Sequence, residues 1–321
     1  MLINCHSYYS LNYGCLSIRD FLATCQLLGH KTVALTDINN TSECFTFLLL
    51  AKEYNIRPVV GIDFRNGVDQ QFIGLAKSHE GFHELNEFLS HHKRSKLPIP
   101  KRAEFKHAFT VYPFTKALHF DELRANEYTG VAPEELNRPI FKQYKKLFKE
   151  KLIALCTATF RHKKDYNTHR LLRAIGENTL LSKLDKNCQA KESDKYRSAE
   201  EISELFQYHS EVIERTEKLL LECQFKFEFH RPNNKAHFTE SNDEDAQLLR
   251  KLSYEGLPYR YEFNPMRGEK LNSKQQEILN RVENELQVIE QYGFSAYFLI
   301  NWDMVCYAMS KGYPHVGRGS G

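Results

Sequence analysis

The apolar positions of the first 64 residues come in short runs separated by polar breaks. "MLIN" (1–4) is too short for a helix and reads as a strand. Ser17, with Asp20 three residues on, resembles a capping box, and the apolar stretch after it runs to Leu28 and is closed by Gly29. "TVALT" (32–36) is β-branched and reads as a second strand. Thr41 or Ser42 then caps a predicted helix to about Tyr54, and "RPVVGIDF" (57–64) and "QFIGLAK" (71–77) read as further strands. This β-α-β-α-β rhythm implies parallel strands joined by right-handed crossovers. It returns with a helix at 138–150, a strand at 151–159 and a helix at 165–175. The expectation is an α/β domain built as a distorted barrel.

Residues 91–137 are less regular. "HHKRSKLPIPKR" (91–102) is basic and proline-bearing, hence a surface connection, and "FKHAFTVYPF" and "NEYTGVA" read as short strands. From Ser198 the character changes. A second capping box leads into a helical stretch to about Cys223, and residues 225–238 form a linker or edge segment. Ser273 with Gln276 starts a helix whose apolar residues fall at 278, 279, 282, 286 and 289, a helical stripe that Gly293 ends. Residues 295–313 are apolar on most faces, which predicts a largely buried helix. The expected domains are 1–230 and 231–321.

Composition adds limits. A chain of 321 residues suits two domains at roughly 150 residues each. No apolar run reaches the ~18 residues of a membrane span. The eight cysteines form no C-x-x-C pair and read as reduced thiols of a cytoplasmic protein. A net charge of +3 neither demands nor excludes nucleic acid. The closing "HVGRGSG" is a glycine-rich loop with no element after it, which reads as a fragment of a longer protein.

Three polar residues sit at or just past strand ends: His6, Asp37 and Asp63. In a parallel barrel such ends share one face, so these side chains are candidates for a divalent-metal set. The plainer alternatives are a hydrogen-bonded core histidine at His6 and a turn-shaping carboxylate at Asp37. His79, His83, His91 and His92 lie in a charged, solvated stretch, and His162 and His169 read as surface residues. Gly317, Arg318, Gly319 and Ser320 combine backbone access, a guanidinium fork and a hydroxyl, a phosphate-binding combination.

Taken together, "INCHSYYSLNYG", "VALTDINNTS", "RPVVGIDF", "FIGLAKSHEGFHELNEFL", "GFSAYFLINWDMV" and "VGRGSG" follow the order found in the bacterial DNA polymerase III alpha subunits, the C-family polymerases. The chain resembles their N-terminal part. The resemblance implies a PHP (polymerase and histidinol phosphatase) barrel followed by the mostly helical start of a palm domain of the beta-polymerase type. Against the metal-bearing pattern of that family, Asn4, Tyr13, Ile38, Gln71, Thr157 and Thr159 stand where ligands are expected, and only His6, Asp37 and Asp63 remain. The expectation is therefore a PHP domain without metal, kept as an inactive scaffold. The resemblance assigns Gly317–Ser320 to the triphosphate of an incoming nucleotide, with Mg at a two-metal site beyond residue 321. It implies primer–template DNA and deoxynucleoside triphosphates as ligands, and a proofreading exonuclease subunit and sliding clamp as partners. Two other readings stay open: a stand-alone PHP phosphoesterase using His6, Asp37 and Asp63, and a non-enzymatic docking module for an exonuclease.

Overall fold

The computed structural model describes residues 1–144, 148–229, 236–265, 268 and 270–317. The chain divides into two compact units, Met1–Phe229 and His230–Gly321.

In chain order the first unit contains β1 (Leu2–Cys5), α1 (Ile18–Leu27), β2 (Thr32–Leu35), α2 (Cys44–Ala51), β3 (Arg57–Asn66), β4 (Asp69–Ala76), α3 (His79–Ser95), β5 (Ala108–Pro113), α4 (Phe114–Ala117), β6 (Glu127–Val131), α5 (Pro139–Tyr144), β7 (Leu152–Ala154), β8 (Thr157–Ala158), α6 (Lys163–Gly176), α7 (Ala199–Leu205) and α8 (Ser210–Glu222). The eight strands form one sheet in the order β7-β6-β5-β4-β3-β2-β1-β8. Its outermost strands, β7 and β8, are separated in sequence by only Leu155 and Cys156. Two residues span less than 10 Å, so the sheet must curl until its edges approach each other. The expected strand at 151–159 is thus one segment that pairs with β6 at its start and with β1 at its end.

The expectation of parallel strands holds for β8-β1-β2-β3 and for β5-β6-β7, but β4 runs antiparallel to both β3 and β5. The cause is local. Asn66-Gly67 opens a two-residue hairpin loop in which Gly67 takes φ +60°, the conformation a tight β-turn asks of its first loop residue. An antiparallel neighbour needs no crossover helix, and none lies between β3 and β4.

Both faces of the sheet are covered. One buries Leu2, Val33, Val60, Ile62, Phe64 and Phe72 with α1, α2 and α3; the other buries Ile3, Ala34, Val59, Ile73, Val111 and Ile153 with Leu219 and Leu220 of α8. Strands buried on both sides read as continuous apolar runs, which is why "TVAL" and "PVVGI" carry no alternation. Arg57 ties α8 to the sheet by donating to the carbonyls of Leu220, Leu221 and Cys223 at 2.7, 3.2 and 2.7 Å. The guanidinium thereby occupies acceptors that a helix C-terminus leaves open.

Helix starts match the sequence in part. Ser17 and Ser198 cap α1 and α7 by accepting from Asp20 N and Glu201 N. The start of α2 differs: its N-cap is Glu43 rather than Thr41 or Ser42, with the Thr41 hydroxyl donating to Asn86 and Ser42 N donating to Asn40 Oδ1. The predicted stretch from Ser198 to Cys223 is two helices rather than one.

The second unit contains α9 (Asn242–Tyr261), α10 (Ser273–Gln291) and α11 (Ser295–Ser310). The cap of α10 is Asn272 with Gln275, one residue ahead of the predicted pair. Helix α11 is not largely buried, contrary to its sequence. Ala296 and Leu299 are buried, and Leu299 packs with Leu249 and Leu286, whereas Tyr297, Trp302, Met304, Tyr307 and Met309 are exposed. Among the described residues only one stripe of this helix meets a partner.

Candidate functional site

Strand ends set the site. Because β8, β1, β2 and β3 are parallel neighbours, Thr159, His6 and Asp37, which follow the first three, lie at one end of the sheet with Asp63 of β3. All four are buried.

His6 and Asp63 meet directly: His6 Nε2 lies 3.0 Å from Asp63 Oδ2, and His6 Nδ1 lies 2.9 Å from the Thr159 hydroxyl. An ionised carboxylate only accepts, so Nε2 donates to it and its lone pair is not offered to a metal. The same Oδ2 accepts from Arg65 Nε and Nη2 at 2.9 and 2.7 Å. Arg65 lies two residues beyond Asp63, on the same face of β3 by the period of a strand. Its guanidinium also sits 4.9 Å from the ring centre of Tyr13, whose edge meets the His6 ring at 5.5 Å. Burial alone would raise the Asp63 carboxyl, but Arg65 and His6 beside it hold it well below the usual carboxylate range. Burial likewise opposes the Arg65 charge, and Asp63 more than restores it. Asp63 Oδ1 is buried without a hydrogen-bond partner among the described residues.

Asn4 and Thr157 form a second pair. Strand register places them opposite each other, and Asn4 Nδ2 donates to Thr157 Oγ1 at 3.0 Å. Thr36 Oγ1 donates to Asn4 Oδ1 at 2.8 Å, so this amide is engaged at both ends.

Asp37 does something different. Its Oδ1 accepts from Ser7 N and Ser10 Oγ, both at 2.7 Å, and its Oδ2 from Ser7 Oγ at 2.7 Å. Burial raises its carboxyl, with the hydrogen bonds from Ser10 and Ser7 opposing. The carboxylate holds the loop that leaves β1, a role closer to the turn-shaping alternative than to a ligand. The same loop explains Gly14: a Cβ there would fall 1.8 Å from the Ser7 carbonyl oxygen.

Two expected positions lie apart. Gln71 turns back to donate to Asp69 at 2.7 Å, on the far strand of the hairpin. Gly317 is exposed, and Arg318, Gly319 and Ser320 lie outside the described residues.

Several contributors escaped the sequence reading. Arg65 is the foremost, and the period-2 alternation of "GIDFRN" carried its signal. Asp194 is largely enclosed nearby, its carboxyl raised by burial. His169 is buried, not a surface residue: its Nδ1 donates to the Tyr13 carbonyl at 2.7 Å and its Nε2 accepts from Ala190 N at 2.8 Å. Burial lowers its pKa to about 4. On α6 its i−4 and i+4 neighbours, Asp165 and Arg173, are charged, so no unbroken apolar stripe marked its face as buried.

A multinuclear metal centre needs several anionic or imidazole donors with free lone pairs. Here Ile38 has none, His6 faces Asp63 with its N–H, and the Arg65 guanidinium, a fixed cation, holds Asp63 Oδ2 and opposes a second positive charge at the carboxylate. Among the described residues no group of three His, Cys, Asp or Glu side chains is placed to hold an ion. The residues present do not fit such a centre. What the arrangement can do is clamp four strand ends together through a buried ion pair and neutral hydrogen bonds.

Comparison with known proteins bears on this geometry. A model of the PHP domain matches residues 3–226, and a model described as the bacterial DNA polymerase III alpha NTPase domain matches residues 247–321. The chain is similar to the DNA polymerase III subunit alpha of Pseudomonas fluorescens, at 26% identity over 98% of this chain and 30% of that protein. The subunit alpha of Borreliella burgdorferi is 25% identical over 99% of this chain and 31% of that protein, and that of Bacillus subtilis 23% identical over 98% and 30%. The chain thus spans about 30% of the length of these curated relatives.

Proposed function

We propose a function from one premise: the chain belongs to the PHP domain family. Residues 1–230 act as the PHP scaffold of a bacterial DNA polymerase III alpha subunit, a template-directed DNA polymerase, and residues 231–321 as the first part of its palm. Two matches support this: the family models cover both parts in order, and the relatives align along nearly the whole chain. The polymerase takes primer–template DNA and deoxynucleoside triphosphates in the cytoplasm. No helix among the described residues is long and apolar enough to cross a membrane. Gly317, Arg318, Gly319 and Ser320 contact the triphosphate, and Mg serves the polymerase's two-metal site. A proofreading exonuclease subunit and a sliding clamp are its protein partners.

Within that polymerase the PHP domain performs no metal chemistry. The observation that carries this part is Arg65, whose guanidinium binds Asp63 Oδ2 and places a fixed positive charge beside the carboxylate, against a second cation. The test is metal analysis of the purified chain after loading with Zn or Mn and gel filtration, beside a phosphoesterase assay with a generic aryl phosphate. The expected result is well under one equivalent of metal and no turnover. Stoichiometric metal with turnover abolished by Asp63→Asn would overturn the scaffold reading.

A further inference from the structure

A cavity of about 450 Å³ opens beside the first turn of α6, away from the strand-end cluster. Phe160, Arg161, His162, Lys163, Tyr166, Asn167, Arg170, Glu192 and Lys195 line it. Four of these are permanent cations and only Glu192 is an acid. Arg161 is partly neutralised by Asp165 at 2.8 Å, and Lys195 lies 3.7 Å from Glu201. Among the described residues Arg170 gives only its Nε, to Gln189 at 2.9 Å. Lys163 makes no ion pair among the described residues. The cavity therefore keeps a positive field at the positive end of a 14-residue helix, where anions are favoured.

The same face of α6 carries an aromatic side chain. Tyr166 is half-buried and packs on the buried Phe160 at 4.8 Å between ring centres, which fixes its plane. A second cavity adjoins the first, sharing Arg161 and His162 and bounded by Tyr196. Tyr196 is only 6% exposed, and its hydroxyl has no hydrogen-bond partner among the described residues.

We propose that this cavity binds a nucleotide unit, its phosphate on Lys163 and Arg170 and its base against Tyr166. Cations that track a phosphate beside an aromatic face form the common chemistry of single-strand binding and of mononucleotide binding. A volume near 450 Å³ suits one such unit rather than an extended duplex. The site is separate from the scaffold role proposed above, so its failure would leave that role standing.

The experiment titrates the full chain with inorganic phosphate, dAMP and a labelled four-residue oligothymidylate by calorimetry and fluorescence anisotropy. Wild-type protein is expected to bind dAMP about tenfold more tightly than phosphate, as one stacked base contributes about 1–3 kcal/mol. The double variant Lys163→Glu with Arg170→Glu is expected to lose at least about tenfold in affinity for both nucleotides, while its thermal melting stays close to that of the wild type. Tyr166→Leu is expected to weaken dAMP and leave phosphate unchanged. Tighter binding of the oligonucleotide than of dAMP assigns the site to a strand; equal binding assigns it to a free nucleotide. No binding by the wild type, or unchanged affinity in the folded double variant, overturns the proposal.

Discussion

Replacing Arg65 by methionine removes the guanidinium and keeps most of the apolar stem. In the native protein Arg65 gives Asp63 two charge-assisted hydrogen bonds, at 2.9 and 2.7 Å, with the two side chains 7% and 0% exposed. Such bonds contribute roughly 1.5–3 kcal/mol each, and breaking a buried pair from one side costs about 3–5 kcal/mol, so the two routes agree. The stacked Tyr13 contact adds about 1 kcal/mol. The expected loss at pH 7.5 is therefore about 4 kcal/mol. The sign of its pH dependence follows from Asp63. With Arg65 present, the folded-state carboxyl titrates below its unfolded value near 3.9, so its stabilisation is present above that value. Without Arg65, burial dominates and lifts the folded carboxyl above the unfolded one, so the variant loses stability as pH rises past the unfolded value. The gap between the two proteins must narrow toward pH 4. Urea denaturation followed by far-ultraviolet circular dichroism measures it; Trp302 lies in the other unit and would not report this one. Adding Asp63→Asn to the variant should recover more than half of the loss. A cost below about 1 kcal/mol, or an equal cost at pH 4.5 and 7.5, would refute the ion-pair account.

His169 gives a second pH effect of a different kind. Its folded pKa of about 4 lies below an unfolded value near 6.5, so the unfolded chain binds more protons between them and stability falls as pH drops through that window, by up to about 3 kcal/mol. His169→Gln should start less stable at pH 7 and show a flatter profile from 6.5 to 4 in the same denaturation assay; an unchanged slope would assign the acid sensitivity elsewhere. Gly14→Ala forces a methyl group to within 1.8 Å of the Ser7 carbonyl and is expected to cost at least about 2 kcal/mol, read as a drop in urea midpoint with no change in slope.

The legible part of this chain was whatever depends on short-range chemistry. Serine caps, glycine stops and β-branched runs placed most elements within a residue or two, because each is decided by a few adjacent side chains. The antiparallel β4 was missed although its cause is equally local. Asn66-Gly67 is a hairpin signal, and the alternation of strand and helix elsewhere overrode it. Burial of His169 was not legible, since its partners, the Tyr13 carbonyl and the Ala190 amide, lie 156 and 21 residues away. The exposure of α11 was misread for the converse reason: an all-round apolar sequence states what a helix can bury, not what it meets.

On the scaffold reading proposed above, the site holds its strand ends together without a metal ion. Removing cations from a cluster of buried carboxylates leaves like charges that repel and cannot be solvated. Two remedies exist: replace the acids, or supply a cation that is covalently part of the chain. Both are present here. Asn4, Ile38, Thr157 and Thr159 carry no charge, and two of them hydrogen-bond each other across β1 and β8. Of the two acids at the strand ends, Asp63 is the one with an arginine two residues along the same strand. Asp37 needs no counter-ion because three donors from the loop after β1 surround it. Arg65 and the serines therefore hold the mouth of the barrel in place of an ion. A domain so arranged is expected to melt at the same temperature with and without a chelator, and to lose stability when that one guanidinium is removed.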